Sequence, residues 1–190
     1  MNSSEQRKTA LRKQLRARRL ELSPAQQQSC AETVASHLSK APFWQQAQCL
    51  AVYFAADGEL DPAALVSLAR IAGKSVYLPA IMPNKRLEFR LWEPGTELRD
   101  NHFGIPEPRS DGIAHKTPDL ICLPLVGWNK RGTRLGMGGG YYDRYLHHAG
   151  TTTTVGLAYA LQESEQLPQD SWDVALDFVV TEEALISCGS

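Results

Sequence analysis

Cys49-Leu50-Ala51-Val52-Tyr53-Phe54 opens the stretch that decides the fold. An unbroken apolar run of this length reads as a buried strand. Ala55-Ala56-Asp57-Gly58-Glu59 interrupts it. Asp61-Pro62 then starts a helix, with Leu65, Leu68, Ala69 and Ala72 on its inward face and Gly73 as its stop signal. Ser75 to Leu78 reads as a second strand. Strand, helix and strand at this spacing predict a βαβ unit, and therefore a parallel sheet.

The rest of the chain extends that sheet. Leu120 to Val126 is its most apolar run and is expected at the centre, ending near Pro124, because proline has no N–H for the ladder. Thr152–Leu157 and Phe178–Val180 read as further strands. Leu87–Trp92 alternates with period two and reads as a half-exposed strand at an edge. Residues 93–118 are rich in Pro, Gly and Asp and read as loops. Tyr141 to His148 is an expected helix. Upstream, a basic helix is expected over about residues 4–20. Ser23-Pro24 restarts a helix, with Ser23 as N-cap and Gln26 completing a capping box. Ala31, Val34, Ala35 and Leu38 follow the i, i+3, i+4, i+7 spacing of one buried stripe, and Pro42 comes shortly after the helix end. The expected architecture is α/β: one domain over residues 1–190, an open, mostly parallel sheet with helices on both faces.

A length of 190 residues fits one such domain. A formal net charge of −1 excludes a molecule that binds nucleic acid by overall charge. Cys30, Cys49, Cys122 and Cys188 are scattered with no C-x-x-C, so free thiols in a reducing compartment are expected and zinc is not. The first residues are polar and then basic, without the apolar core of a signal peptide. No apolar run approaches the length of a membrane span. The expected location is the cytoplasm, with no membrane and no obligatory protein partner.

Function is concentrated in residues 132–144, Gly-Thr-Arg-Leu-Gly-Met-Gly-Gly-Gly-Tyr-Tyr-Asp-Arg. Clustered glycines cost conformational entropy, and a common return is a concavity of backbone N–H groups around an anion. The segment lacks the Gly-Lys-Ser/Thr ending of a Walker A loop. It also has Tyr141 where the dinucleotide fingerprint requires glycine. Arg134 at its entrance and Tyr141, Tyr142, Asp143 and Arg144 at its exit suit a phosphate-bearing ligand beside a planar one. In open α/β sheets ligands sit outside the carboxyl ends of the strands. That rule puts Glu59 and the glycine loop on one edge.

Several residues admit two readings. Asp143 either ligates Mg²⁺ bridging nucleotide phosphates or satisfies amides at a helix start. Glu59 either grips a polar substrate edge or is a solvated loop carboxylate. Tyr141 and Tyr142 either meet ligand or pack on the sheet. The basic block is a nucleic-acid arm, a solvated face, or a source of one or two cations for a nucleotide. His37, His102, His115, His147 and His148 show no ligand spacing.

Arg134-Leu135-Gly136-x-Gly138-x-Gly140-Tyr141-Tyr142-Asp143-Arg144 resembles the signature of the 5-formyltetrahydrofolate cyclo-ligase family, whose members are also called methenyltetrahydrofolate synthetases. Lys8-x-x-Leu11-Arg12 is similar to the family's N-terminal segment. Tyr53-Phe54 followed by Glu59-Leu60-Asp61 resembles its strand and glutamate loop. Leu167-Pro168 followed by Asp173 and Asp177 resembles its C-terminal acidic segment. One position departs: Trp128-Asn129 stands where the family commonly has an aromatic residue and Asp.

The resemblance implies ATP-dependent closure of 5-formyltetrahydrofolate to 5,10-methenyltetrahydrofolate, with release of ADP and phosphate. It implies phosphorylation of the formyl oxygen and attack by N10, with Mg²⁺ as cofactor. Carried over residue by residue, Lys8 and Arg12 would contact ATP from the N-terminal helix. Arg134, Leu135, Gly136, Met137, Gly138, Gly139, Gly140, Tyr141 and Tyr142 would wrap the nucleotide, with Arg134 and Tyr142 in catalytic roles. Phe54, Glu59 and the Met137–Tyr141 segment would face the folate. Asp143 and Asp173 would hold Mg²⁺. The competing functions are a non-enzymatic ATP-binding regulatory module, a small-molecule kinase and a nucleic-acid binder.

Overall fold

The computed structural model describes residues 3–109 and 117–189. In chain order the helices are α1 (Ser3–Leu20), α2 (Pro24–Ser39), α3 (Pro42–Gln46), α4 (Ala63–Ile71) and α5 (Tyr141–Leu146). The strands are β1 (Cys49–Ala51), β2 (Ser75–Met82), β3 (Arg86–Leu91), β4 (Leu98–Asp100), β5 (Pro106–Pro108), β6 (Leu120–Pro124), β7 (Gly127–Trp128), β8 (Arg134–Leu135), β9 (Thr153–Leu157), β10 (Phe178–Val180) and β11 (Leu185–Ser187).

The main sheet has seven strands in the order β11-β10-β9-β6-β1-β2-β3. β10, β9, β6, β1 and β2 run parallel, and β11 and β3 close the two edges antiparallel. The mostly parallel α/β sheet read from the sequence is therefore present, with β6 at its centre and β3 at an edge. β1 continues through α4 to β2 on one side, while β6, β9 and β10 extend the sheet on the other. The chain thus changes direction between β1 and β6. That switch point is where open α/β sheets leave a crevice at the carboxyl ends of their strands.

Alternation along each strand divides the core between the two faces. Leu50, Leu120, Cys122, Val155 and Leu157 pack with Val34, Ala35 and Leu38 of α2 and with Leu65, Val66 and Ala69 of α4. Ala51, Ile121, Leu123 and Val179 pack on the opposite face with Leu146 of α5. Helices cover both faces, as expected. At the start of α2, Ser23 and Gln26 form the expected capping box with Pro24 in the first turn.

The local differences have physical causes. The strand expected over residues 49–54 ends at Ala51. Val52 still donates to the Tyr77 carbonyl at 3.0 Å, but Tyr53 turns inward to donate its hydroxyl to the Leu60 carbonyl at 2.7 Å. In α4, Val66 takes the buried place expected of Ala72, which is exposed at the frayed helix end. Pro42 opens α3 rather than merely following α2, as proline's fixed φ permits at a first turn. β2 runs on through Pro79 to Met82, because beyond Tyr77 it pairs only with β3. α5 ends at Leu146, short of His148.

The 93–118 segment is not all loop. It contains the β4–β5 hairpin, held to the sheet by the Ile81 amide donating to Glu107 and by Arg90 donating to the Pro108 carbonyl. Residues 110–116 of that segment lie outside the described residues. β7, β8 and β11 are two or three residues long, too short to register as strands in sequence.

Candidate active site

Two connections leave the switch point. From β1 the chain enters the turn Ala56-Asp57-Gly58-Glu59. Glu59 N–H donates to the Ala56 carbonyl at 2.9 Å, and both central residues have positive φ, Asp57 at 53° and Gly58 at 72°. That is the type I′ geometry for which an Asp-Gly pair is suited. The turn bends Glu59 back, so that its Oε2 accepts from the Ala56 N–H at 3.2 Å. Burial pushes the Glu59 carboxyl above the usual glutamate range, against the opposing Ala56 hydrogen bond and the positive charge of Arg19.

From β6 the chain passes through the β7–β8 hairpin into the glycine loop. Asn129 builds that hairpin turn: its Oδ1 accepts from the Arg131 and Thr133 amides at 3.0 and 3.1 Å. An aspartate could accept the same two bonds, so the departure at Asn129 preserves the turn. Its buried Nδ2, in contrast, has no hydrogen-bond partner among the described residues. Arg134 on β8 donates to the Val174 carbonyl and to Asp143 Oδ1. Burial lowers the pKa of this guanidinium, while Asp143, Asp173 and Tyr142 act to raise it.

Beyond Leu135 the loop lies open. A Cβ added at Gly136 would meet nothing within 4 Å among the described residues, and Met137 is exposed. Gly138 has φ +96°, and a Cβ there would press on the Arg12 guanidinium at 3.3 Å. Arg144 closes the far side by donating to the Gly139 carbonyl at 2.7 Å. Gly140, in left-handed geometry, hands the chain to α5. Tyr141 remains at the rim, with the exposed Phe103 ring edge-on at 6.2 Å. Tyr142 turns under the loop against the sheet. Burial and the Glu59 charge raise its phenol pKa, while Arg134 opposes them. Of the two readings open to these tyrosines, Tyr142 takes the packing one, while Tyr141 stays at the loop's rim. Phe54 packs edge-on to Trp92 with ring centroids 5.2 Å apart.

The basic N-terminal helix closes the third side. Lys8, Leu11, Arg12, Leu15 and Arg19 follow a spacing that makes one stripe, and that stripe is the buried one. Arg7, Lys13 and Arg18 lie on the exposed side. Lys8 Nζ reaches Asp170 at 2.7 Å and Asp173 at 3.3 Å. Burial alone would lower the Lys8 pKa, but its hydrogen bonds and the two carboxylates raise it overall. Arg12 Nε donates to the Gly136 carbonyl at 3.0 Å.

Lys8, Arg12, Glu59, Arg134, Tyr142, Asp143 and Asp173 therefore belong to one neighbourhood. Phe54 and Trp92 pack together against the core on the α2–α4 side of the sheet. Sequence reasoning missed Asp170 and the fully buried Arg19. The signal for Arg19 was its position on the stripe of Leu11 and Leu15, where an arginine is buried only with acceptors waiting for it.

Residues 4–182 match the model of the 5-formyltetrahydrofolate cyclo-ligase family. The chain belongs to this family. A 5-formyltetrahydrofolate cyclo-ligase of Haemophilus influenzae is 37% identical over 179 residues, covering 90% of this chain and 95% of the relative. The cyclo-ligase of Escherichia coli K12 is 39% identical over 177 residues, covering 88% and 96%. The solved 5,10-methenyltetrahydrofolate synthetase of Aquifex aeolicus superposes with a TM-score of 0.84 at 31% identity, covering 96% of this chain and 93% of that one.

Proposed function

We propose that this family member is a working cyclo-ligase, closing 5-formyltetrahydrofolate to 5,10-methenyltetrahydrofolate at the expense of ATP. The observation that carries the reading is the meeting, at the β1/β6 switch point, of a buried carboxylate on one loop and a cationic glycine loop on the other. A nucleotide's phosphates suit Arg134, Lys8, Arg12 and the backbone from Leu135 to Gly140. A pterin edge with ring N–H donors suits Glu59, with Phe54 and the Met137–Tyr141 segment against the folate's flat surfaces.

The N5-formyl group is an amide and a poor electrophile. Transfer of the γ-phosphoryl group to its oxygen, with ADP leaving, gives an iminium phosphate. N10 of the same folate then attacks the formyl carbon. The N10 proton and the phosphate depart, so the formyl oxygen leaves in the phosphate. Such transfer depends on positioning and on charge stabilisation. Arg134 is anchored by the Val174 carbonyl and can turn from Asp143 to the phosphoryl oxygens. Tyr142 stays protonated and serves as a hydrogen-bond donor.

Mg²⁺ is commonly held by one or two carboxylates plus substrate phosphates. Asp143 and Asp173 supply that set, since both act on the same Arg134 guanidinium. The ion would neutralise phosphate charge when bound. Among the described residues no helix is long and apolar enough to cross a membrane. The four cysteines are free, which suits work in the cytoplasm.

The methenyl product has an extended chromophore that the formyl substrate lacks. Growth of its absorbance that requires both ATP and Mg²⁺ is the expected result. Folded protein that gives no growth with both present would defeat the reading. ADP formation with another acid or amide as phosphoryl acceptor, without that band, would instead favour a small-molecule kinase.

A further inference from the structure

We infer that Arg19 is a positioning residue for the folate carboxylate Glu59, acting through the Asp57 turn; the inference rests on the cyclo-ligase reading above. Arg19 is completely buried near the end of α1. Its Nε donates to the Asp57 carbonyl at 2.8 Å, its Nη2 to Asp57 Oδ2 at 2.8 Å and its Nη1 to the Leu125 carbonyl at 3.2 Å. Asp57 follows β1 and Leu125 follows β6. One guanidinium therefore ties together the two strand ends that flank the switch point. A planar fork of donors can hold three acceptors in fixed directions, which a lysine cannot do.

The turn needs that support. Asp57 sits at φ 53°, a conformation that non-glycine residues adopt at a cost unless their surroundings impose it. Arg16 adds a second guanidinium, with its Nε 2.6 Å from Asp57 Oδ2. Glu59 is in turn tied to the same turn through the Ala56 amide. Its Oε1 lies 3.9 Å from Arg19 Nη2, beyond hydrogen-bond reach. Arg19 thus favours the charged form of Glu59 while leaving that oxygen for a ligand. Gln162 Nε2 shares the Leu125 carbonyl at 2.7 Å, so the β6 end stays anchored when Arg19 is changed.

The test is steady-state kinetics of Arg19→Lys, Asp57→Asn, Glu59→Gln and the doubles R19K/E59Q and D57N/E59Q, with KM read separately for the two substrates. The expected result for Arg19→Lys is a rise of about tenfold in folate KM, with ATP KM and kcat within about twofold. Asp57→Asn, which keeps the backbone carbonyl, shows a smaller rise of the same kind. Neither double variant binds folate appreciably worse than Glu59→Gln alone, because the first change acts only through Glu59. Effects that multiply in the doubles, or an ATP KM that rises in step with folate KM, overturn the inference. If Arg19→Lys does not fold, the Asp57→Asn cycle decides by the same criterion. Unchanged folate KM in both single variants of an active wild type defeats this inference alone. A wild type that forms no methenyl product overturns it together with the cyclo-ligase reading.

Discussion

Arg12 Nε donates to the Gly136 carbonyl at 3.0 Å, joining two elements 124 residues apart in the chain. The same guanidinium is the nearest group to the space beside Gly138. The first helix and the glycine loop are therefore in direct contact through Arg12.

Arg12→Ala should raise the KM for ATP about 10- to 100-fold, the range expected for losing a hydrogen bond to a charged group. Gly138→Ala should act in the same direction through a different cause. Its φ of +96° is unfavourable to alanine, and the new methyl group displaces Arg12. Folate KM should change much less in both variants. Equal rises in the two KM values would show that the loop is not organised as described.

Glu59 gives a prediction with a pH signature. Burial raises its folded pKa above the unfolded value. Between those two values the native state holds more protons than the unfolded chain, so stability falls as pH rises through the window. Glutamine has no proton to lose. Glu59→Gln should therefore melt no lower than wild type at neutral pH, with the advantage shrinking as pH falls toward about 4. Folate binding should weaken in the same variant. Thermal unfolding at the two pH values, alongside folate KM, reads both effects. A variant that melts lower at neutral pH than at acid pH, relative to wild type, would contradict the burial argument.

What could be read from sequence followed from how local each signal is. Ser23-Pro24-Gln26 carries its own hydrogen-bond chemistry, and the capping box is present. Leu120–Pro124 is buried on both faces and therefore apolar throughout, so the central strand stood out. Glu59 and the glycine loop could be placed on one edge because both follow central strands. Arg19 shows in sequence only as a member of the stripe with Leu11 and Leu15; its acceptors on Asp57 and Leu125, 38 and 106 residues away, are not legible there. β7 and β8 are two residues each and exist through pairing, which leaves no period to detect.

Gly156 tests the packing beneath the site. It lies within β9, where a Cβ would collide with Leu125 Cδ1 and stand 2.7 Å from Leu176 Cδ1. Leu125 is the residue whose carbonyl Arg19 and Gln162 share. Overpacking of this kind costs on the order of 1–3 kcal/mol. Gly156→Ala should lower the denaturation midpoint with little change in the slope of the transition. Because the displaced side chain belongs to Leu125, folate KM should rise more than ATP KM. An unchanged midpoint would mean that the two leucines yield freely.

The metal assignment predicts an order of binding. Asp143 is already paired with Arg134, and Asp173 with Lys8. Among the described residues, no three His, Cys, Asp or Glu side chains form a group able to hold a metal ion. Two carboxylates that are both neutralised by cations make a poor site for Mg²⁺ on their own, because the ion must compete for them and still lacks ligands. Nucleotide phosphates change both terms: they supply oxygens, and they draw Arg134 and Lys8 toward themselves. Mg²⁺ titrated calorimetrically into the protein alone should give little heat, and the same titration with a non-hydrolysable ATP analogue should give saturable binding. Asp173→Asn should raise the Mg²⁺ concentration needed for half-maximal turnover about tenfold, and it should also loosen Lys8, which loses a charged partner. Tight Mg²⁺ binding without nucleotide, or an unaltered Mg²⁺ requirement in both Asp143→Asn and Asp173→Asn, would remove these carboxylates from the metal site.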